Sequence, residues 1–277
     1  MRSLRTSGAA GDAALQRLHA LLLRVARAEL RRRNSRTLIG GPELEDLAYH
    51  ACADAMVAIT AKLDQFRYES RFTTWAYRFV ILEVSNKLSR HFWNAPHVSI
   101  DEEDWDRLPG SFGLDPQQRA EWQELIDALR RAIDETLTPR QRRLFVAIIL
   151  NGVPVDALAV ELDSNRNAIY KALFDARRKL RQTLVANGYM GSELHELREG
   201  DIAMSDGRAQ LERFLATDPR DVGCEAALEV LHVYSELFVA GEHPERRFPG
   251  IAAHLEACGP CGEDFAGLVA AIGGAES

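Results

Sequence analysis

The chain is predicted to be all-α, and three observations predict it. Apolar residues recur at steps of three and four in almost every segment, the spacing that lines one face of a helix. No run alternates apolar and polar residues in the way a half-buried strand does. Glycine and proline mark the joints between the main periodic segments, where one helix ends and the next begins.

In chain order, Leu15, Leu18, Leu22 and Val25 line a first helix. Gly40, Gly41 and Pro42 separate it from a second, and proline suits a first helical turn because its missing N–H has no partner there anyway. Leu44, Leu47, Ala48, Ala51, Ala55 and Ala58 form the second stripe. Phe72, Trp75, Ala76 and Phe79 begin a third, and are read as core. These helices make a first domain over residues 10–93. Residues 94–115 form a linker, rich in proline and glycine and carrying the acidic run Asp101 to Asp106.

A second domain is expected over 116–187. Thr138-Pro139-Arg140-Gln141 has the form of a capping box, with the Thr138 hydroxyl accepting from the N3 amide and Gln141 reaching back. Leu144, Phe145, Ile148 and Ile149 continue that helix until Asn151-Gly152, where glycine can take the left-handed conformation that stops it. A short helix from Pro154 carries Leu158, Ala159 and Leu162. Asp163 then takes a turn position that tolerates a left-handed backbone, and Ser164 can cap the next helix. Ile169, Leu173, Ala176, Leu180 and Leu184 form one stripe, with Arg166, Tyr170, Lys171, Arg177, Arg178 and Arg181 mostly off it. Two short helices with cations on the second form a helix-turn-helix suited to a major groove and its phosphates.

Residues 188–220 read as a second linker, although Leu211 to Leu215 could form a short helix, and 221–277 as a small third domain. The formal net charge is -7, yet residues 188–277 hold 6 Lys and Arg against 17 Asp and Glu, leaving 28 against 24 in residues 1–187. An acidic tail and a basic body are therefore different modules. No apolar run approaches the roughly 20 residues needed to cross a bilayer, and no signal peptide is recognisable, so a cytoplasmic chain without membrane contact is expected. In that reducing compartment the cysteines at 52, 224, 258 and 261 favour thiols or metal ligation over a disulfide framework. Cys52 is expected to be buried and unreactive.

Between Phe66 and Trp93, aromatic residues (Phe66, Tyr68, Phe72, Trp75, Tyr77, Phe79, Phe92, Trp93) are interleaved with Arg67, Arg71, Arg78, Lys87 and Arg90. Aromatic faces stack unpaired bases while cations track the backbone, which is the chemistry for holding melted DNA.

The pattern Leu137-Thr138-Pro139-Arg140-Gln141, Leu158-Ala159, Ile169 and Ala176-Arg177-Arg178-Lys179-Leu180 resembles region four of sigma factors. It departs from the family at Asp163, where a turn glycine is usual, at Ser164 and at Asp175. The run Phe66 to Arg78, with Asp46-Leu47 upstream and Asn86 and Arg90 downstream, resembles region two of the extracytoplasmic-function sigma factors. Together these cover most of residues 10–187. The resemblance implies that Leu44, Glu45, Asp46 and Leu47 dock on core RNA polymerase. It assigns Arg67, Tyr68, Glu69, Ser70, Asn86, Lys87 and Arg90 to the melted promoter element. Arg166, Asn167, Tyr170 and Lys171 would reach base edges of the upstream element, and Arg177 and Arg178 its phosphates.

In the tail, Cys224 precedes His254, Cys258 and Cys261 as Cys-x29-His-x3-Cys-x2-Cys, four ligands of the kind tetrahedral zinc takes. His232 and His243 are rival ligands. A closed four-ligand site with no evident general base points to structure over hydrolysis, so no enzyme is expected and a zinc hydrolase is the least favoured reading. The pattern in a small acidic helical domain resembles the zinc-binding anti-sigma domain, which implies an intramolecular contact masking the sigma domains. The zinc would be structural or, through thiolate oxidation, redox-regulated. The alternative is a helix-turn-helix regulator that never joins polymerase.

Overall fold

In the computed structural model, residues 8–34, 39–94, 119–190, 211–212 and 214–274 are described, and among them the secondary structure is helical, with no strand. The expected linker at 95–115 and the part of the second linker at 191–210 lie outside them, as do the side chains of Phe92 and Trp93. The chain divides into two compact units: Met1–Ala95 with Val222–Ser277, and Pro96–Asp221. The expected third domain therefore shares a body with the first.

The first unit is built on α1 (Ala9–Asn34), α2 (Gly41–Ala61) and α3 (Phe72–Asn94). Gly40 and Pro42 start α2 as the sequence suggests. α2 presents Ala48, Ala51, Cys52 and Ala55 to the interior, all fully buried. Such small side chains let α1 and α3 approach closely, and Leu22, Leu30, Ile59 and Ile81 fill the space between. Phe66, Phe72, Trp75 and Phe79 form a chain of aromatic contacts at 4.7–5.7 Å. Of these Phe66, Trp75 and Phe79 are buried in the core, and Phe72 is partly buried against it.

Four further helices complete this unit: α8 (Gly223–Val239), α9 (Pro244–Arg247), α10 (Pro249–Ala257) and α11 (Gly259–Gly273). Leu231 of α8 and Leu268 and Ile272 of α11 belong to the same core as α1–α3. Each such burial stabilises the joint by roughly 1.5–3 kcal/mol as an upper estimate. A smaller cluster of Ala227, Tyr234 and Ile251, with Phe248 and Phe265 against it, holds α8, α10 and α11 together.

The second unit contains α4 (Arg119–Thr136), α5 (Pro139–Phe145), α6 (Val155–Glu161) and α7 (Arg166–Ala186). The capping box at Thr138 and Gln141 is complete. α5 widens into a π-turn over Val146–Leu150, and Gly152 at φ +64 ends it. Asp163 takes φ +45, and the Ser164 N–H reaches Ala159 O at 2.8 Å. The Ser164 N–H thereby closes α6, while its hydroxyl accepts from Arg140 Nη2 at 3.4 Å. The cap of α7 falls one residue later than expected, where the Asn165 side chain accepts from the Ala168 N–H. Leu129, Ile133, Phe145, Leu180 and Leu184 form the core, joined by Leu211 and Leu215 from the segment read as a linker.

Candidate metal centre and nucleic-acid interface

Gly223, at φ +80, turns the chain into α8 and places Cys224 in its first turn. His254 lies near the end of α10, and Cys258 is the extended residue between α10 and α11. The Cys258 N–H closes on His254 O at 2.8 Å, and Pro260 occupies the first turn of α11. A Cβ on Gly262 would lie 2.8 Å from Leu255 O, so only glycine lets α11 fold back this tightly on α10. That fold-back sets Cys261 beside His254.

The donor atoms of Cys224, His254, Cys258 and Cys261 lie within 4.8 Å of one another, all buried. This group can hold a metal ion. The Cys224 and Cys258 sulfurs are 3.9 Å apart. A tetrahedral zinc with Zn–S near 2.3 Å has sulfur–sulfur edges of about 3.8 Å, so the spacing fits. Among thiols alone, the Cys224 proton is held well above its ordinary range, first by hydrogen bonding to Cys258 and then to Cys261. The rival histidines stand elsewhere. His232 is buried with Nδ1 3.3 Å from Arg78 Nη1, and His243 is exposed beside Glu245 at 3.0 Å. Cys52 is fully buried, its thiol pushed up to about 11 by burial.

The segment before α3 is the second feature of this unit. Tyr68 is 72% exposed and takes φ +62, a conformation unfavourable for a bulky residue and commonest where a site constrains the chain. Arg67 and Glu69 are exposed and Ser70 half-buried. α8 lies against this segment. The Glu236 carboxylate accepts from the Arg71 N–H at 3.0 Å, from Arg71 Nε at 2.9 Å and from Thr74 Oγ1 at 2.7 Å. It thus caps α3 from another helix. Arg78 Nη1 donates to Leu228 O at 3.0 Å and Glu229 O at 2.7 Å. Burial lowers the Arg78 pKa and pushes that of His232 down to about 4, with the Arg78 charge adding to the latter. Arg67 approaches Glu229 at 4.0 Å. Arg78, one of the cations expected to track a nucleic-acid backbone, meets the backbone of Glu229 on α8 instead, and the carboxylates of Glu229 and Glu236 were not singled out from the sequence. The legible signal was the acidic stripe of Glu225, Glu229 and Glu236 at helical spacing on an otherwise apolar α8.

Farther along α3, Asn86 and Arg90 are exposed, while Lys87 pairs with Asp54. On α2, Leu44 and Leu47 are half-buried against the core and Asp46 is exposed. Glu45 is held by Arg27, which also stacks over Tyr49.

A buried ionic cluster joins α1, α3 and α11. Glu29, 3% exposed, accepts from Arg32 Nε at 2.8 Å and from Arg33. Arg33 continues to Ser85 Oγ at 2.8 Å and Asp264 Oδ1 at 3.0 Å, while Arg32 reaches Glu263. Ser85 donates to Asp264 at 2.6 Å.

In the second unit, the residues expected to meet DNA are placed less uniformly than their spacing suggests. Lys171 and Arg178 are exposed, and Arg178 pairs with Asp175 at 3.1 Å. Asn167 is half-buried. Arg166 is held by Asp156 on α6, with contacts of 2.5 and 2.6 Å. Tyr170 and Arg177 are buried at 4% and 5% exposure, against the expectation of a solvent-facing role in this state. Their partners come from residues 214–221: Tyr170 donates to Asp221, and Arg177 to Phe214 O and Ala216 O.

No helix among the described residues is long and apolar enough to cross a membrane. No family model, no curated protein and no solved structure matches the chain.

Proposed function

We propose that the chain is a sigma-type transcription initiation factor that joins core RNA polymerase in the cytoplasm, with a zinc-binding C-terminal module that restrains it in cis. The observation that supports this reading best is the contact of α8 with residues 67–78. The helix that carries the metal-ligating Cys224 places the carboxylates of Glu229 and Glu236 on the basic and aromatic segment that would hold the melted strand. Carboxylates there meet the same donors that backbone phosphates would.

Different parts of the chain would carry different contacts. Tyr68 and its neighbours Arg67, Glu69 and Ser70 would take unpaired bases and backbone, and α2 would meet polymerase through Asp46 and the edges of Leu44 and Leu47. α7 would read duplex DNA through its exposed Lys171 and, when available, Arg166, Asn167, Tyr170 and Arg177. Cys224, His254, Cys258 and Cys261 would hold zinc, whose contribution is to fix α8, α10 and α11 as one surface.

Core-polymerase pull-down and promoter-dependent transcription test the reading. The full chain should bind core, and Glu236→Ala should raise initiation several-fold over the unaltered chain. Absence of core binding by both forms overturns the sigma-type assignment in favour of a regulator that acts without polymerase.

A further inference from the structure

Residues 211–212 and 214–221 lie along α7 in the direction opposite to it. Leu211 and Leu215 are 2% and 0% exposed within the core of the second unit. Phe214 stacks edge-on against Phe145, with ring centroids 6.1 Å apart, and lies 5.1 Å under the Arg177 guanidinium. The Arg177 Nη2 to Ala216 O bond is 2.7 Å. Two turns nearer the start of α7, Asp221 accepts from Tyr170. Tyr170 and Arg177 stand seven residues apart on one face, about 10 Å along the helix axis. The five residues between Leu215 and Asp221 span that distance easily.

From this we infer that residues 211–221 are a strap on α7, and that phosphate contact by Arg177 and groove contact by Tyr170 require its release. The exclusion is geometric. The Arg177 guanidinium bonds the carbonyls that end the strap's short helix, where the helix dipole favours a cation, and it is shielded by Phe214. A phosphate oxygen would need those same donors. Tyr170 lies in the first turns of α7, the part that a recognition helix offers to base edges, and its hydroxyl is committed to Asp221. The exposed cations Lys171 and Arg178 remain able to meet DNA, so the strap lowers affinity without abolishing encounter. The strap ends beside Val222, the residue that precedes α8.

This inference rests on the reading of α7 as a duplex reader. Its test uses the full chain carrying Phe214→Ala and Asp221→Ala, with Leu215→Glu as the second variant should the first leave the strap in place. Hydrogen exchange at residues 211–221 reports release. Anisotropy with a short random-sequence duplex, across a salt series, reports DNA contact. Release should raise affinity at least about tenfold and steepen the salt dependence by about one released ion, and adding Arg177→Gln should reverse the extra slope. Fast exchange with unchanged affinity and slope, or with lower affinity, overturns the strap. If core polymerase binding is intact in that case, the sigma-type reading survives alone. If release strengthens DNA binding but no form binds core, the strap stands and the sigma-type reading falls.

Discussion

At Gly267, α11 comes so close to α1 that an added Cβ would lie 2.6 Å from the Glu29 carboxylate. Glu29 cannot swing aside, because Arg32 and Arg33 hold it in a nearly dry site. Gly267→Ala should therefore cost about 1–3 kcal/mol and lower the melting temperature by several degrees. A thermal melt unchanged from the parent would show that the two helices can part without penalty. His232 gives a pH signature at the other joint. Its pKa is lowered to about 4 from an ordinary 6.5, by burial first and the Arg78 charge second, with Glu236 opposing. Arg67, Glu69 and Glu229 line the same cleft. The folded chain thus keeps His232 neutral, while the unfolded chain takes up its proton below about pH 6.5. Stability should fall as pH drops from 6.5 towards 4, and His232→Gln should flatten that slope in urea titrations at pH 7 and pH 5. A slope unaltered by the substitution would assign the effect to the neighbouring carboxylates.

At the scale of elements, α8 matters less for what it buries than for where it ends its charges. Glu236 gives α3 a cap that its own sequence lacks: Arg71 stands at the cap position, and its side chain bonds Glu236 as its backbone N–H does. Loss of such a cap costs about 1 kcal/mol. Glu236→Ala should speed hydrogen exchange at residues 71–76 while leaving the rest of α3 slow, and Glu236→Gln should lie between. Equal exchange in all three would mean that α3 starts without help. The helices and their ends were legible because capping is local: Thr138 with Gln141, Pro42 and Gly152 each act within a few residues. Ser164 was misplaced as a cap by one residue: two neighbouring residues both offer a capping oxygen, and Asn165 is the one whose side chain reaches the Ala168 N–H. The four candidate metal ligands, His254 among them, were legible from spacing, and the structure sets the rivals His232 and His243 apart from the group. The partners of Tyr170 and Arg177 were not legible, since nothing local tells a polar connector that it will be bound. In the aromatic stripe, Trp75 and Phe79 read correctly as core because helical spacing outweighs composition, while Phe72 at the helix start is only partly buried against it.

For the whole molecule, the position of the four candidate ligands predicts which parts would respond to metal loss. Through an ion, Cys224 would tether the start of α8, and His254, Cys258 and Cys261 the joint of α10 and α11. Leu231, Leu268 and Ile272 on two of those helices sit in the core shared with α1–α3, while the core of Leu129, Phe145 and Leu184 has no residue from them. The purified chain should carry one zinc per molecule by elemental analysis, and Cys258→Ala should reduce this to a small fraction. Chelation should then raise hydrogen exchange in α8, α10 and α11 first and in α1 and α3 next, because their shared apolar residues and the Arg33–Asp264 pair lose a fixed partner surface. Residues 119–190 should keep their protection. The order arises from the separation of the two cores: a metal stabilises only the helices whose positions it constrains, and the four candidate ligands all lie in the first unit. Exchange that rises equally in both units would mean that the units unfold as one, and that the metal governs the entire chain. Protection unchanged everywhere would mean that the apolar joint holds the module without its ion.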